Sequence, residues 1–303
     1  MARTRFVNDH GLSFRMMLTM GGLGLLYVLL AGVLYALGFN AFWVLAISGG
    51  LLFAQWWFSD SLAMRSMGAV VVTPEQAPKL HALVDGICAA AGMNKPRIGI
   101  ADTDVPNAFA TGRTPSRSVV VVTTGLLRRL DADELEGVLA HELSHVAHRD
   151  VTVMTIASFT AIIAGFLARW AMWGSMFRDN RNGNAALIGI AVMLVSVVVY
   201  FAAFLLIRAL SRYRELGADR GAALLTRKPS ALASALQKIS VDMETVPNGA
   251  IARTEAVSSL AIMPALLSGR GFSLERLFAT HPSLDKRLLQ LARLSNEMGE
   301  SAR

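Results

Sequence analysis

Apolar positions along this chain fall into long unbroken runs and short patterned ones. Four stretches, Met16 to Gly38, Ala41 to Phe58, Val151 to Trp173 and Ala185 to Ile207, are apolar nearly throughout. Each is close to the roughly 20 residues a helix needs to cross a bilayer. The second is the shortest and carries Ser48, Gly49, Gly50 and Gln55, so a spanning helix and a tilted or re-entrant segment both stay open for it. The other three hold no charge apart from Arg169. The first is too long for the apolar core of a cleaved signal peptide and no small-x-small site follows it, so it reads as a retained span.

The remaining portions, 61–150 and 208–303, carry shorter elements. Thr73, Pro74 and Gln76 have the form of a capping box, predicting a helix that ends near Gly92. Three strand-like runs follow, Arg97 to Ala101, Ala108 to Thr111 and Ser118 to Thr123, separated by Asp, Pro, Asn and Gly turn signals. Asp131 with Glu134 opens a further helix. The expected organisation is a transmembrane hairpin over 1–60, a first catalytic portion over 61–150, a second hairpin over 151–207 and a second catalytic portion over 208–303.

Composition supports the membrane reading: 53% of the 303 residues are hydrophobic and only 17% charged, outside the usual range for a soluble globular protein. The net charge of +7 invites a nucleic-acid partner, but much of the basic excess lies beside the apolar stretches. Arg3, Arg5 and Arg15 precede the first, Arg65, Lys79, Lys95 and Arg97 follow the second, and Arg208, Arg212 and Arg214 follow the fourth. By the positive-inside rule both termini and the middle portion are cytoplasmic, against one loop, Gly174 to Asn184, that holds Arg178 and Arg181 beside Asp179. The basic residues then orient the chain and meet anionic lipid, with no nucleic acid required. Cys88 is the one thiol, so no internal disulfide forms, and its apolar helical surroundings make it a packing residue.

The predicted helix after Asp131 carries His141, Glu142, Leu143, Ser144 and His145, an H-E-x-x-H pattern. Residues four apart on a helix lie on one face within about 6 Å, so both imidazoles reach one ion at roughly 2.0–2.1 Å. Glu142 sits about 100° around the helix from His141, near enough to reach a water at that ion without ligating it. Leu135, Leu139, Leu143 and Val146 gather on the opposite side, which predicts one buried face and leaves the histidines to a cleft. His148 lies one turn beyond His145 and reads as a supporting or solvent-facing residue.

Zinc in a catalytic site needs a third protein ligand and an open position. His145 precedes the third apolar stretch by six residues and Glu215 follows the fourth by eight. Antiparallel helices extended that far raise both to about 9–12 Å above the same membrane surface. Glu215 is therefore the candidate third ligand to one Zn2+ per chain. Asp219, four residues on, is placed to accept a hydrogen bond from a ligand histidine. An acidic patch paired with Arg212, Arg214 and Arg220 is the plainer alternative.

The chain resembles the HtpX-type membrane metallopeptidases, distant relatives of the CaaX prenyl endopeptidases. The resemblance rests on Pro-Asn-Ala-Phe-Ala-Thr-Gly at 106–112, Leu-Ala-His-Glu-Leu-Ser-His at 139–145, Ser-Arg-Tyr-Arg-Glu-Leu-Gly-Ala-Asp at 211–219 and Thr-His-Pro-Ser-Leu-Asp-Lys-Arg at 280–287. It implies an α+β membrane protein, mostly helical, with four transmembrane helices and a split cytoplasmic zincin-like catalytic domain around a small β-sheet. It further implies a zinc endopeptidase of the bacterial inner membrane that cuts misfolded or damaged membrane proteins, alongside quality-control partners. Asn107, Ala108, Phe109, Ala110, Thr111 and Gly112 would hold an extended substrate by strand addition, His281 would help stabilise the oxyanion, and Arg287 would give structural or electrostatic support. The stretch Asp242 to Phe272 matches no pattern.

Overall fold

The structure, a computed structural model, describes residues 10–36, 41–112, 114–177, 183–245 and 282–299. The elements run α1 (His10–Ala36), α2 (Ala41–Ser66), β1 (Val70–Val71), α3 (Pro78–Ala91), β2 (Arg97–Ala101), β3 (Ala108–Gly112), β4 (Ser118–Thr123), α4 (Thr124–Arg129), α5 (Ala132–Ala147), α6 (Asp150–Phe177), α7 (Gly183–Thr226), α8 (Pro229–Thr245) and α9 (Leu284–Glu297). The protein is thus mostly helical around one small mixed sheet. His281 and most of 242–272 lie outside the described residues.

Among the described residues, α1, α6 and α7 contain spans long and apolar enough to cross a membrane. They pack on one another through Leu30, Leu34, Ile163, Leu167 and Val192, while Leu25, Val28 and Leu29 of α1 and Leu194, Val197 and Val198 of α7 stay exposed. A helix apolar all round is suited to lipid on one side and protein on the other. The segment left open in the sequence, Ala41 to Phe58, is an unbroken helix that continues to Ser66. Its far end leaves the apolar run and lays Ala63, Met64 and Met67 on the sheet.

The sheet order is β1-β2-β4-β3, with β2 parallel to β4 and the other two pairings antiparallel, so β3 is an outer strand. Ala108, Ala110, Val120 and Val122 point into the main core with α5. Phe109, Val119 and Val121 point the other way, toward α2. A sheet buried on both faces explains why β4 reads Val-Val-Val-Val without polar alternation. Gly112 ends β3 at a φ of 140°, and a Cβ there would stand 2.5 Å from Ser118 Cα.

Two expectations need correction. The helix foreseen from Thr73 starts at Pro78. Gln76 does accept a hydrogen bond from the Thr73 N–H at 2.9 Å, but it closes a turn, because Pro78 drives Ala77 out of helical geometry (φ −140°, ψ 61°) and restarts the helix at its own fixed φ. Its end is as foreseen, with Gly92 left-handed at φ 65°. The second correction concerns α5, which is buried all round rather than on one face: His141, Glu142 and Ser144 are as enclosed as Leu139 and Leu143. The sheet, α3, α7 and α8 all pack against it. Its start is the foreseen capping box of Asp131 and Glu134, and Glu134 also ties α5 to Ser234 and Lys238 of α8.

Gly112→Ala is expected to destabilise the protein by about 1–3 kcal/mol. Gly86→Ala, within α3 where an added Cβ meets nothing within 4 Å, is expected to be neutral or to stabilise by up to about 1 kcal/mol. Thermal unfolding of both variants in one detergent checks the pair.

Candidate metal centre

α5 and α7 build the centre between them. α7 is a single 44-residue helix, so the apolar span and the turn bearing Glu215 and Asp219 are one rigid piece, running through the expected boundary at 207–208. It pairs antiparallel with α6, Tyr200 lying against Gly165. α6 in turn starts three residues after α5 ends. The antiparallel pair thus returns the chain to the height of the histidines.

The geometry there is close to what a tetrahedral ion requires. His141 Nε2 and His145 Nε2 are 3.2 Å apart. Glu215 Oε1 is 3.3 Å from His145 Nε2, and Glu215 Oε2 is 3.6 Å from His141 Nε2. Ligands at about 2.0–2.1 Å from one tetrahedral ion stand roughly 3.3 Å from each other. The donor set, two imidazoles and one carboxylate, is also one that zinc takes in catalytic sites. These residues fit the metal, and they form the one His, Cys, Asp and Glu cluster with that capacity among the described residues.

The orientation of each ring is fixed from behind. His141 Nδ1 stands 2.9 Å from Asp219 Oδ1. A proton held at Nδ1 by a carboxylate leaves the Nε2 lone pair facing inward. Asp219 is itself gripped by Arg287 of α9, with Nε to Oδ2 at 2.7 Å and Nη2 to Oδ1 at 2.6 Å. Arg287 is fully buried, and its Nη1 lies 3.8 Å from Glu215 Oε2. His145 Nδ1 is paired with Asp150, the first residue of α6, a partner the sequence reading missed. Its signal was an acid five residues after His145, at the start of an apolar helix. His148 turns away, its Nδ1–H donating to the Ser144 carbonyl at 2.8 Å.

Electrostatics sets Glu142 apart. Burial pushes its carboxyl up to about 7, with His141 and His145 pulling the other way and Glu215 adding to the rise. For His141, burial opposes the charged ring, but hydrogen bonding to Asp219 and Glu215 outweighs it and the pKa ends above its ordinary value. The Ala110 backbone of β3 opposes the rise in the Glu142 pKa, which brings the outer strand beside the same carboxyl. Thr111 and Gly112 continue that strand, and Asn107 precedes it with its N–H bonded to Thr123 Oγ1 at 2.9 Å.

Asp219→Asn is expected to lower zinc affinity about 10- to 100-fold. Competition with a chromophoric chelator measures it.

Comparison with known proteins identifies the family. The model of Peptidase family M48 matches residues 74–295. The Protease HtpX homolog 1 of Streptomyces coelicolor is 50% identical over 299 residues, covering 99% of this chain and 98% of that protein. The Protease HtpX homolog of Moorella thermoacetica is 46% identical over 299 residues, covering 98% and 99%. The crystal structure of S. mikatae Ste24p shares the fold at a TM-score of 0.56 and 17% identity, over 93% of this chain and 67% of that one. With His141, His145 and Glu215 all inside the matched range, the chain belongs to peptidase family M48 and, within it, to the HtpX-type membrane metalloendopeptidases.

Proposed function

We propose that this protein is a zinc-dependent endopeptidase that cleaves misfolded or damaged membrane proteins at the cytoplasmic face of the plasma membrane, with Glu142 as general base. The observation that carries the reading is the convergence of one ligand atom each from His141, His145 and Glu215 within 4.8 Å of one another, with the Glu142 carboxyl one residue along from the first. Zinc bound by His141, His145 and Glu215 supplies a Lewis acid for the scissile carbonyl and lowers the pKa of water.

The protein's own groups do the rest. Glu142 takes a proton from the attacking water and passes it to the departing amide nitrogen. Residues Asn107 to Gly112 hold the substrate in extended form: β3 is an outer strand and its Ala110 backbone touches Glu142, so a peptide added along it passes the reacting groups. Backbone pairing of that kind selects for an extended, unfolded chain rather than for a sequence, which suits damaged proteins as substrates. His281 is proposed to stabilise the oxyanion. α2 is proposed as the fourth span, pairing with α1, since the basic residues on either side of the spans then share one face of the membrane.

Detergent-solubilised protein should cut casein after chelation and zinc restoration. Glu142→Gln should keep stoichiometric zinc while losing at least about 100-fold in rate; a variant that loses its zinc would make Glu142 a ligand instead. His145→Ala should lose metal and cleavage together, both read by metal analysis beside the cleavage assay.

A further inference from the structure

The histidines of the centre are held by two parallel relays, and the second reaches into the membrane hairpin. In the first, Arg287 of α9 grips Asp219, which holds His141. In the second, Arg214 of α7 ion-pairs with the Asp150 carboxylate, which holds His145. Arg214 also donates from Nη1 to the Asp150 backbone carbonyl at 3.1 Å. Arg214 is 7% exposed, the Asp150 side chain 14% and the His145 side chain 17%. Arg149, between α5 and α6, is left-handed at φ 56°. That reversal turns the Asp150 carboxylate back onto a ring five residues earlier. Arg214 immediately precedes Glu215, so the helix that supplies the third ligand also fixes the partner of the second.

We infer that Asp150 and Arg214 are positioning residues for the metal: they hold His145 with its proton on Nδ1 and lock the α6–α7 pairing to the His145–Glu215 distance. This rests on the reading of His141, His145 and Glu215 as zinc ligands. A plain ion pair bracing the mouth of the hairpin would stabilise the fold without touching metal affinity. Two features go beyond bracing. The carboxylate splits its oxygens, Oδ2 to His145 and Oδ1 to Arg214, and the arginine also fixes the backbone from which that carboxylate extends.

The test uses the full chain in detergent, measuring zinc affinity by chelator competition, the visible absorption of the Co2+-loaded protein, and the melting temperature of the metal-free protein. His141→Ala serves as the reference for the ligand reading. Wild type that binds no zinc, or His141→Ala that binds it as well as wild type, overturns that reading and this inference with it. Given a wild-type site that His141→Ala abolishes, Asp150→Ala is expected to lower zinc affinity about 10- to 100-fold and to change the Co2+ spectrum. Arg214→Met alone should weaken binding, but should add no further loss once Asp150 is Ala. Asp150→Asn, which keeps the volume and one acceptor oxygen, covers the case in which the alanine variant does not fold. Its expected loss is about tenfold. Wild-type zinc affinity and an unchanged Co2+ spectrum in a folded Asp150 variant, with only the melting temperature reduced, overturn the inference.

Discussion

Lone pairs crowded into a buried space repel unless positive charge sits among them. His141 Nε2, His145 Nε2 and the two Glu215 carboxylate oxygens meet at 3.2–3.6 Å in the interior of this protein, and much of its architecture exists to hold them there. Arg287 and Arg214, both buried, lie one carboxylate behind the rings. Each arginine holds an aspartate, each aspartate holds an Nδ1, and each ring is left with one outcome, its free nitrogen turned inward. A charge network of this depth is costly to bury unless every member is paired. Its cost is offset by the packing of Val138, Leu139 and Leu143 of α5 with Leu80 and Val84 of α3 and Leu236 of α8.

The membrane helices are part of that machinery and not only an anchor. α6 begins at Asp150 and α7 runs without a break past Asp219. The packing that pairs them, with Ala157 against Ala203 and Leu210, therefore sets positions at the metal. A flexible joint between span and site would lose the 3.3 Å spacing from His145 to Glu215. An unbroken helix transmits it.

What the sequence made legible follows the range of each interaction. The α5 start was readable because a capping box is local, Asp131 and Glu134 answering each other within one turn. Glu215 and Asp219 were readable at long range because two helical spans of similar length impose a simple arithmetic of rise per residue. Asp150 was not: its contact with His145 depends on one left-handed residue, Arg149, and no periodicity announces it. The Thr73 motif misled because Pro78, four residues after Pro74, competes for the helix start and wins. The closed surroundings of α5 were invisible for another reason. Apolar spacing shows which face a helix must bury, but it is the docking of α7 and α8 that buries the rest.

Chain order adds a consequence of the Arg287–Asp219 clamp. Synthesis runs from the amino terminus, so the nascent chain carries His141, Glu142 and His145 well before Glu215 exists, and Arg287 later still. Until α9 emerges and docks, the carboxylate that orients His141 is a buried charge without its guanidinium. The support behind His141 is therefore complete only when the last of the described helices has been made and has docked.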